Sequence, residues 1–298
     1  NALLNYALYG KKSSYIDRLS LEEVYFLGIG DLIPEIAKAT EYALDVHYVG
    51  SKSADEAAEL FKQVLPMKEG MKKSESPIVQ DRVDYKESKI YFLANSNAQQ
   101  AKIYFYINGL PYEIADDVDY EAFNQYFSGG FNGLVMNEIR EKRSMAYTAV
   151  GYMVSPPVTQ KKSYFIGYVG TQPDKVADAI DVYMDLLTNM PMYEERMDNI
   201  KVYLRQSMLT SKPSFRNKSQ VFDAWQRLGY TDDPAKVNMS KVEELTFEQI
   251  KNFYETNIKG QPIVTVIMGD PKLIDLKQIK AKWGKVTNVG RGTLFSKE

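Results

Sequence analysis

Tyr126-Phe127-Ser128-Gly129-Gly130-Phe131-Asn132-Gly133-Leu134-Val135-Met136-Asn137-Glu138-Ile139-Arg140-Glu141-Lys142-Arg143-Ser144-Met145-Ala146-Tyr147 is the stretch from which the fold is read. A short helix over Asp119–Phe127 is broken at Ser128-Gly129-Gly130, because successive glycines remove the side-chain restriction that holds a helix. A second helix is predicted over Asn132–Arg143, with Val135 and Ile139 four residues apart on one face. Its end is charged, with Arg140, Lys142 and Arg143 where the helix dipole favours cations. From the residues alone, Arg140 reads as part of a solvated helix end and Tyr147 as a strand residue. The glycines read as a tight turn or an anion-binding helix start, without the Gly-Lys-Ser/Thr of a phosphate loop.

Working outward, the flanking segments switch to a two-residue period. Lys89–Asn95 is an apolar strand. Ala101–Asn108 alternates Ile103, Phe105 and Ile107 on one face with Tyr104 and Tyr106 on the other. Ala146–Val154 and Ser163–Val169 are two further strands parted by Pro156-Pro157, with Lys161-Lys162 as a solvated loop between them. After Pro173, suited to a first helical turn, a long helix carries Val176, Ala179, Ile180, Tyr183, Leu186 and Leu187 and stops at Pro191. Helices near Glu194–Thr210 and Arg216–Leu228 follow, then a strand at Ile263–Met268. Strands joined by turns and followed by a run of helices predict an α+β fold, a largely antiparallel sheet packed against helices, and not a doubly wound parallel sheet.

The chain also resembles itself. Leu8-Tyr9-Gly10, Ser20-Leu21-Glu22-Glu23 and Asp45-Val46-His47-Tyr48-Val49-Gly50 recur in order as Leu228-Gly229-Tyr230, Ser240-Lys241-Val242-Glu243 and Val264-Thr265-Val266-Ile267-Met268-Gly269. The offset is about 220 residues. Each Ser-x-x-Glu is a candidate capping box opening a helix, and each copy then reaches an apolar strand ending in Gly. This predicts residues 1–66 as the tail of a truncated first repeat, a linker over Met67–Asp81 and a complete second repeat over 82–298. A tail of that kind cannot bury its own apolar faces, so its missing front is expected on a removed segment or on another chain.

Composition narrows the chemistry. The 298 residues carry a formal net charge of −2, which does not argue for nucleic acid, and no apolar run approaches the ~20 residues of a membrane span. There is one histidine, His47, and no cysteine. A helical zinc-hydrolase site needs two histidines on one helix face plus a carboxylate, so no catalytic zinc is expected in this chain. A Ser-His-Asp triad would depend on His47 and lacks a Gly-x-Ser-x-Gly elbow. His47 reads as a strand residue with a satisfied ring.

The quoted stretch resembles the pitrilysin/insulinase superfamily of zinc peptidases, the inverzincins, which include the processing peptidases. There a Gly-rich turn leads a helix ending in Leu/Ile-Arg-Glu-Lys-Arg and then Gly-Leu-Ala-Tyr. Here Ile139-Arg140-Glu141-Lys142-Arg143 is followed by Ser144-Met145-Ala146-Tyr147, with Ser144 and Met145 in place of Gly-Leu; loss of the glycine could alter the turn. The family's H-x-x-E-H motif is absent, so the resemblance is to the C-terminal, non-catalytic half.

That resemblance implies a non-catalytic half that closes a peptide-trapping chamber, with no catalytic residue of its own and inactive alone. It implies Arg140 and Tyr147 as the substrate-binding pair, zinc on the catalytic half, and a partner half or subunit carrying the zinc motif. The peptide would enter as an added strand on a sheet edge of that catalytic half. The alternative is a catalytically inert peptide-binding or assembly subunit of the same fold.

Overall fold

The computed structural model describes residues 1–65, 69–73 and 79–295. Of the predicted linker 67–81, residues 67–68 and 74–78 lie outside the described residues. The elements run α1 (Ala2–Tyr9), α2 (Leu21–Phe26), α3 (Ile29–Ala39), α4 (Ala54–Val64), β1 (Lys89–Ala94), β2 (Ala101–Pro111), α5 (Asp117–Ser128), α6 (Leu134–Met136), β3 (Ala146–Val154) and β4 (Lys162–Thr171). They continue with α7 (Val176–Thr188), α8 (Met197–Thr210), α9 (Lys218–Arg227), α10 (Pro234–Glu244), α11 (Phe247–Asn257), β5 (Ile263–Gly269), α12 (Leu276–Trp283), β6 (Val286–Asn288) and α13 (Arg291–Leu294).

One sheet organises the chain from β1 onward, in the order β3-β4-β2-β5-β1-β6. The α+β class predicted from sequence is the one observed. The sheet is mixed: β3–β4, β4–β2 and β2–β5 pair antiparallel, whereas β5–β1 and β1–β6 pair parallel. The reason is β5. It returns after the helical run and inserts between β1 and β2, and a parallel pair needs a long crossover of this kind. Its near-complete burial on both faces suits that central place.

The two-residue period of β2 sorts the layers. Ile103, Phe105 and Ile107 are fully buried against α5, α7 and α11. The opposite face is partly covered by α1, whose Leu3, Ala7 and Leu8 cluster with Tyr106, Val264 and Val266. Thus the first residues of the chain pack on the sheet built by the later ones. At the helical layer the cross-strand pair Gly151 and Gly167 makes room for Tyr183. Its ring stacks on Phe105 with centroids 4.1 Å apart, and its hydroxyl donates to the Val150 carbonyl at 2.7 Å. Burial pushes that phenol well above its ordinary pKa. A second polar tie joins α10 to α5: the Asp117 carboxylate accepts from Tyr112 Oη at 2.8 Å, Tyr230 Oη at 2.9 Å and Asn238 Nδ2 at 3.1 Å.

Strand β3 is a sheet edge, and α5 lies alongside it. The Asn124 amide accepts from Met153 N–H at 2.7 Å and donates to Met153 O at 3.0 Å. Ser128 Oγ accepts from Gly151 N–H at 3.1 Å.

Several sequence expectations need correction. Ser240 does not open a helix but sits inside α10, which is started by Asp233, accepting from Ala235 N–H at 2.9 Å, with Pro234 in the first turn. Proline pre-set for the first helical position outweighs an internal serine. The capping box in that region is Thr246/Gln249, at the start of α11. The Ser20/Glu23 box is present, with its reciprocal bonds at 3.1 and 2.7 Å. The segment 45–49 is not a strand: among the described residues it has no ladder partner, and His47 is exposed rather than held in a sheet. An apolar stretch becomes a strand only where a neighbour takes its backbone bonds. Helix α3 is uncovered as well: none of its residues is buried, and Ile29, Ile33 and Ile36 are exposed.

Candidate functional site

The site predicted from sequence lies where α6 hands over to β3. Gly133 packs so closely against the turn before it that an added Cβ would stand 2.6 Å from the Ser128 carbonyl carbon. Gly129 and Gly133 therefore serve close packing before α6, while Gly130 supplies a left-handed turn at φ +60°. Helix α6 then widens into a π-helical turn over Asn137–Glu141, with Lys142 N–H donating to Asn137 O at 2.9 Å. An extra residue in a turn rotates every later side chain by about 100° relative to a regular helix. The sequence gives no sign of this widening, because Val135 and Ile139 are both buried as a plain helix would have them.

The rotation separates the charged residues into two groups. Glu138 turns inward, where Lys142 Nζ bonds its Oε1 at 2.5 Å and Arg143 Nη1 bonds its Oε2 at 2.7 Å. Burial alone would raise the Glu138 pKa, but the two cations outweigh it and hold the carboxyl below its ordinary 4.5. A depressed carboxylate contributes stability above its unfolded-state pKa and loses it as pH falls through the folded one. Glu138→Gln is therefore expected to cost about 1.5–3 kcal/mol at neutral pH. The gap between variant and parent in urea unfolding should close as pH is lowered below 4.5.

Arg140 turns the other way. Its guanidinium carbon lies 5.3 Å from the centroid of the Tyr147 ring, within cation–π range, and its Nε is 3.4 Å from Glu141 Oε1. Tyr147 is 79% exposed. It occupies a register shift between Ala146 and Thr148 in the β3–β4 ladder, where an extra residue re-aims its side chain. The structure thus brings the two predicted residues together on one open surface.

The link between them is a left-handed turn. Ser144 N–H donates to Arg140 O at 2.8 Å and Met145 N–H to Ile139 O at 3.0 Å, a nested closure like a Schellman motif. Ser144 has φ +50°, where glycine is the usual residue. The turn is kept although the glycine is not. Further support comes from Thr171 Oγ1, which donates to Met145 O at 2.5 Å, and Lys175 Nζ, 3.3 Å from Ser144 O. A β-branched side chain is poorly tolerated at positive φ. Ser144→Val is therefore expected to lose about 1–2 kcal/mol by thermal unfolding, while Ser144→Gly should stay near the parent.

No three His, Cys, Asp or Glu side chains cluster as a metal site among the described residues, and no helix among them is long and apolar enough to cross a membrane.

Similarity to known proteins bears on the family and the fold. The family model described as the peptidase M16 inactive domain matches residues 44–201. No curated protein matches the sequence. Among solved structures, a peptidase M16 inactive domain from Pseudomonas fluorescens is similar at TM-score 0.65 and 20% identity, over 90% of this chain and 64% of that one. The periplasmic protease PqqL from Escherichia coli is similar at TM-score 0.51 and 16% identity, over 74% of this chain and 25% of that one. The ferredoxin protease FusC, solved as a mutant in complex with Arabidopsis ferredoxin, is similar at TM-score 0.61 and 11% identity, over 90% of this chain and 29% of that one. At these identities the likeness speaks for the fold, and the chain spans less than two thirds of the length of each of these structures. The shared sheet and the matched family model together place it: this chain belongs to the peptidase M16 inactive-domain family, as a non-catalytic peptidase-like domain.

Proposed function

We propose that this chain faces a zinc-bearing catalytic half and closes a peptide-holding chamber, with Arg140 and Tyr147 contacting the peptide backbone beside the bond to be cut. The carrying observation is their pairing: a guanidinium 5.3 Å from a phenol ring, held by a π turn and a left-handed residue, with the ring standing out from the surface. A pair so placed is enclosed only when a second body lies over it. Arg offers a charged fork of donors and Tyr one neutral O–H on a stiff ring. Both types suit a carbonyl oxygen that gains negative charge during hydrolysis. Uncovered α3 and the segment 45–49, without a ladder partner among the described residues, support reading 1–66 as the tail of a first repeat, of which α1 alone is seated on this chain's own sheet.

Mixing the purified chain with a catalytic half and an unfolded peptide tests this. Cleavage should need both parts, and chelator-sensitive cleavage by this chain alone defeats the reading. The alternative, an inert assembly or peptide-binding subunit, is favoured if substituting both Arg140 and Tyr147 leaves turnover intact and alters assembly alone.

A further inference from the structure

Between the end of α5 and the length of α8 lies a groove of about 520 Å³. Arg196 is the one charged residue in its lining. The guanidinium carbon stands 4.8 Å from the Tyr193 ring centroid and 6.0 Å from that of Tyr126, and Nη1 donates to Asn132 O at 2.7 Å. Stacking and one hydrogen bond thus hold the fork in place, with further N–H groups left over for a guest. Arg196 is half-buried, and among the described residues no carboxylate pairs with it. Glu194 and Glu195, just before it in the chain, are exposed and do not engage it.

The rest of the wall is neutral and polar. Asn199 and Gln206 on α8 face Gln125 and Asn132 across the groove, and among the described residues none of these four carboxamides has a hydrogen-bond partner in the protein. Asn132, Asn199 and Gln206 are exposed and Gln125 is half-buried, so the groups are open to a guest. Tyr126 forms the floor and is already used: its Oη donates to Pro191 O at 2.6 Å and accepts from Tyr193 N–H at 2.8 Å. Helical spacing lines up Arg196, Asn199, Tyr203 and Gln206 on one side of α8. At 1.5 Å per residue the row is about 15 Å long. An extended polypeptide covers that length with about four or five residues.

We propose that this groove holds an extended acidic segment of a polypeptide: a Glu or Asp carboxylate on the Arg196 fork, the neighbouring backbone on the carboxamides of Asn199, Gln206 and Gln125, and a side chain against the exposed Tyr203 ring. A guanidinium bonded to a carboxylate is the strong contact. A carboxamide carries one donor group and one acceptor, as a peptide unit does. A lone carboxylate would need only the Arg196 end, and the row of amides beyond it is what suits a chain. Asn132, whose carbonyl holds Arg196, lies eight residues before Arg140, about 12 Å of helix. The groove is thus separate from the Arg140–Tyr147 pair, and binding there does not depend on the chamber.

Calorimetric titration of the chain with acetyl-Thr-Ser-Thr-Glu-Thr-Ser-Thr-amide, the same peptide with Gln for Glu, and acetyl-Glu-amide tests it. Threonine favours the extended form of these peptides. The Glu peptide should bind at least about tenfold more tightly than the Gln peptide and than acetyl-Glu-amide. Arg196→Gln should abolish the preference for Glu, and Arg196→Lys, which keeps the charge and loses the fork, should retain part of it. Tyr203→Ala should weaken the Glu and Gln peptides alike. Equal binding of the Glu and Gln peptides, no binding of the Glu peptide at millimolar concentration, acetyl-Glu-amide as tight as the heptapeptide, or an undiminished Glu preference in folded Arg196→Gln overturns the proposal. The Glu-against-Gln comparison decides on the parent chain even if a variant misfolds.

Discussion

From the contact with the peptide carbonyl proposed above, Arg140→Ala is expected to lower kcat of an assembled peptidase by about 10²-fold, the usual loss when one placed donor to a developing oxyanion is removed. KM should change less, because the interaction strengthens as charge builds on the carbonyl oxygen. Tyr147→Phe removes one neutral hydrogen bond, and a loss of about tenfold is expected. Arg140→Lys should recover little, since a point charge does not reproduce the guanidinium fork. Folding should be unaffected in all three. The contacts of Arg140 to Glu141 and to the Tyr147 ring lie at the surface, while the helix end is held separately by Glu138 with Lys142 and Arg143. Initial rates over a substrate range, with native mass spectrometry to confirm assembly, check the set. Normal kcat in Arg140→Ala, with assembly intact, removes this residue from the reaction.

The largest expected effect on stability is at Gly151. A Cβ there would overlap the Tyr183 hydroxyl and come within 2.8 Å of both Phe127 Cε1 and Phe165 Cζ. None of the three rings has room to withdraw, for Tyr183, Phe127 and Phe165 are all fully buried in one core. Overpacking of a dense core costs about 1–3 kcal/mol. Displacing Tyr183 also breaks its bond to Val150 O and leaves a buried hydroxyl without its partner, a further ~1–3 kcal/mol. Gly151→Ala should thus lose about 2–5 kcal/mol in denaturant unfolding. Gly151→Ala combined with Tyr183→Phe should recover part of that loss, because the shared clash is relieved. A Gly151→Ala chain as stable as its parent would show that the ring is free to move.

Much of this architecture was legible in local pattern. The alternation of Ile103, Phe105 and Ile107 marked a strand, and those residues are the buried face of β2. The strand β3 was bounded at Ala146–Val154 by the preceding charged helix end and the following prolines, as observed. What local pattern could not supply was partnership. Nothing in Ile263–Gly269 says that it enters between β1 and β2, since that depends on a pairing made across the whole helical run. Likewise 45–49 has a strand's composition and, among the described residues, no neighbour to make it one. Within the candidate site, residue types and spacing singled out Arg140 and Tyr147. The π turn and the bulge that aim them are backbone events without a side-chain signature. The role of Glu138 was half visible, because an acid four residues before Lys142 is a helix pair, but its burial came only with the fold.

The Asn124 carboxamide offers Met153 the same donor and acceptor that a neighbouring strand would, and Ser128 occupies the next outward N–H at Gly151. A free sheet margin is a template for any extended chain that meets it. Here the Gly151 N–H and both backbone groups of Met153 are already taken by the protein itself, so fibril-like stacking of copies through Gly151–Met153 lacks most of the bonds it would start from. An extended guest finds only a broken rail there, and depends on side chains for its grip on this body.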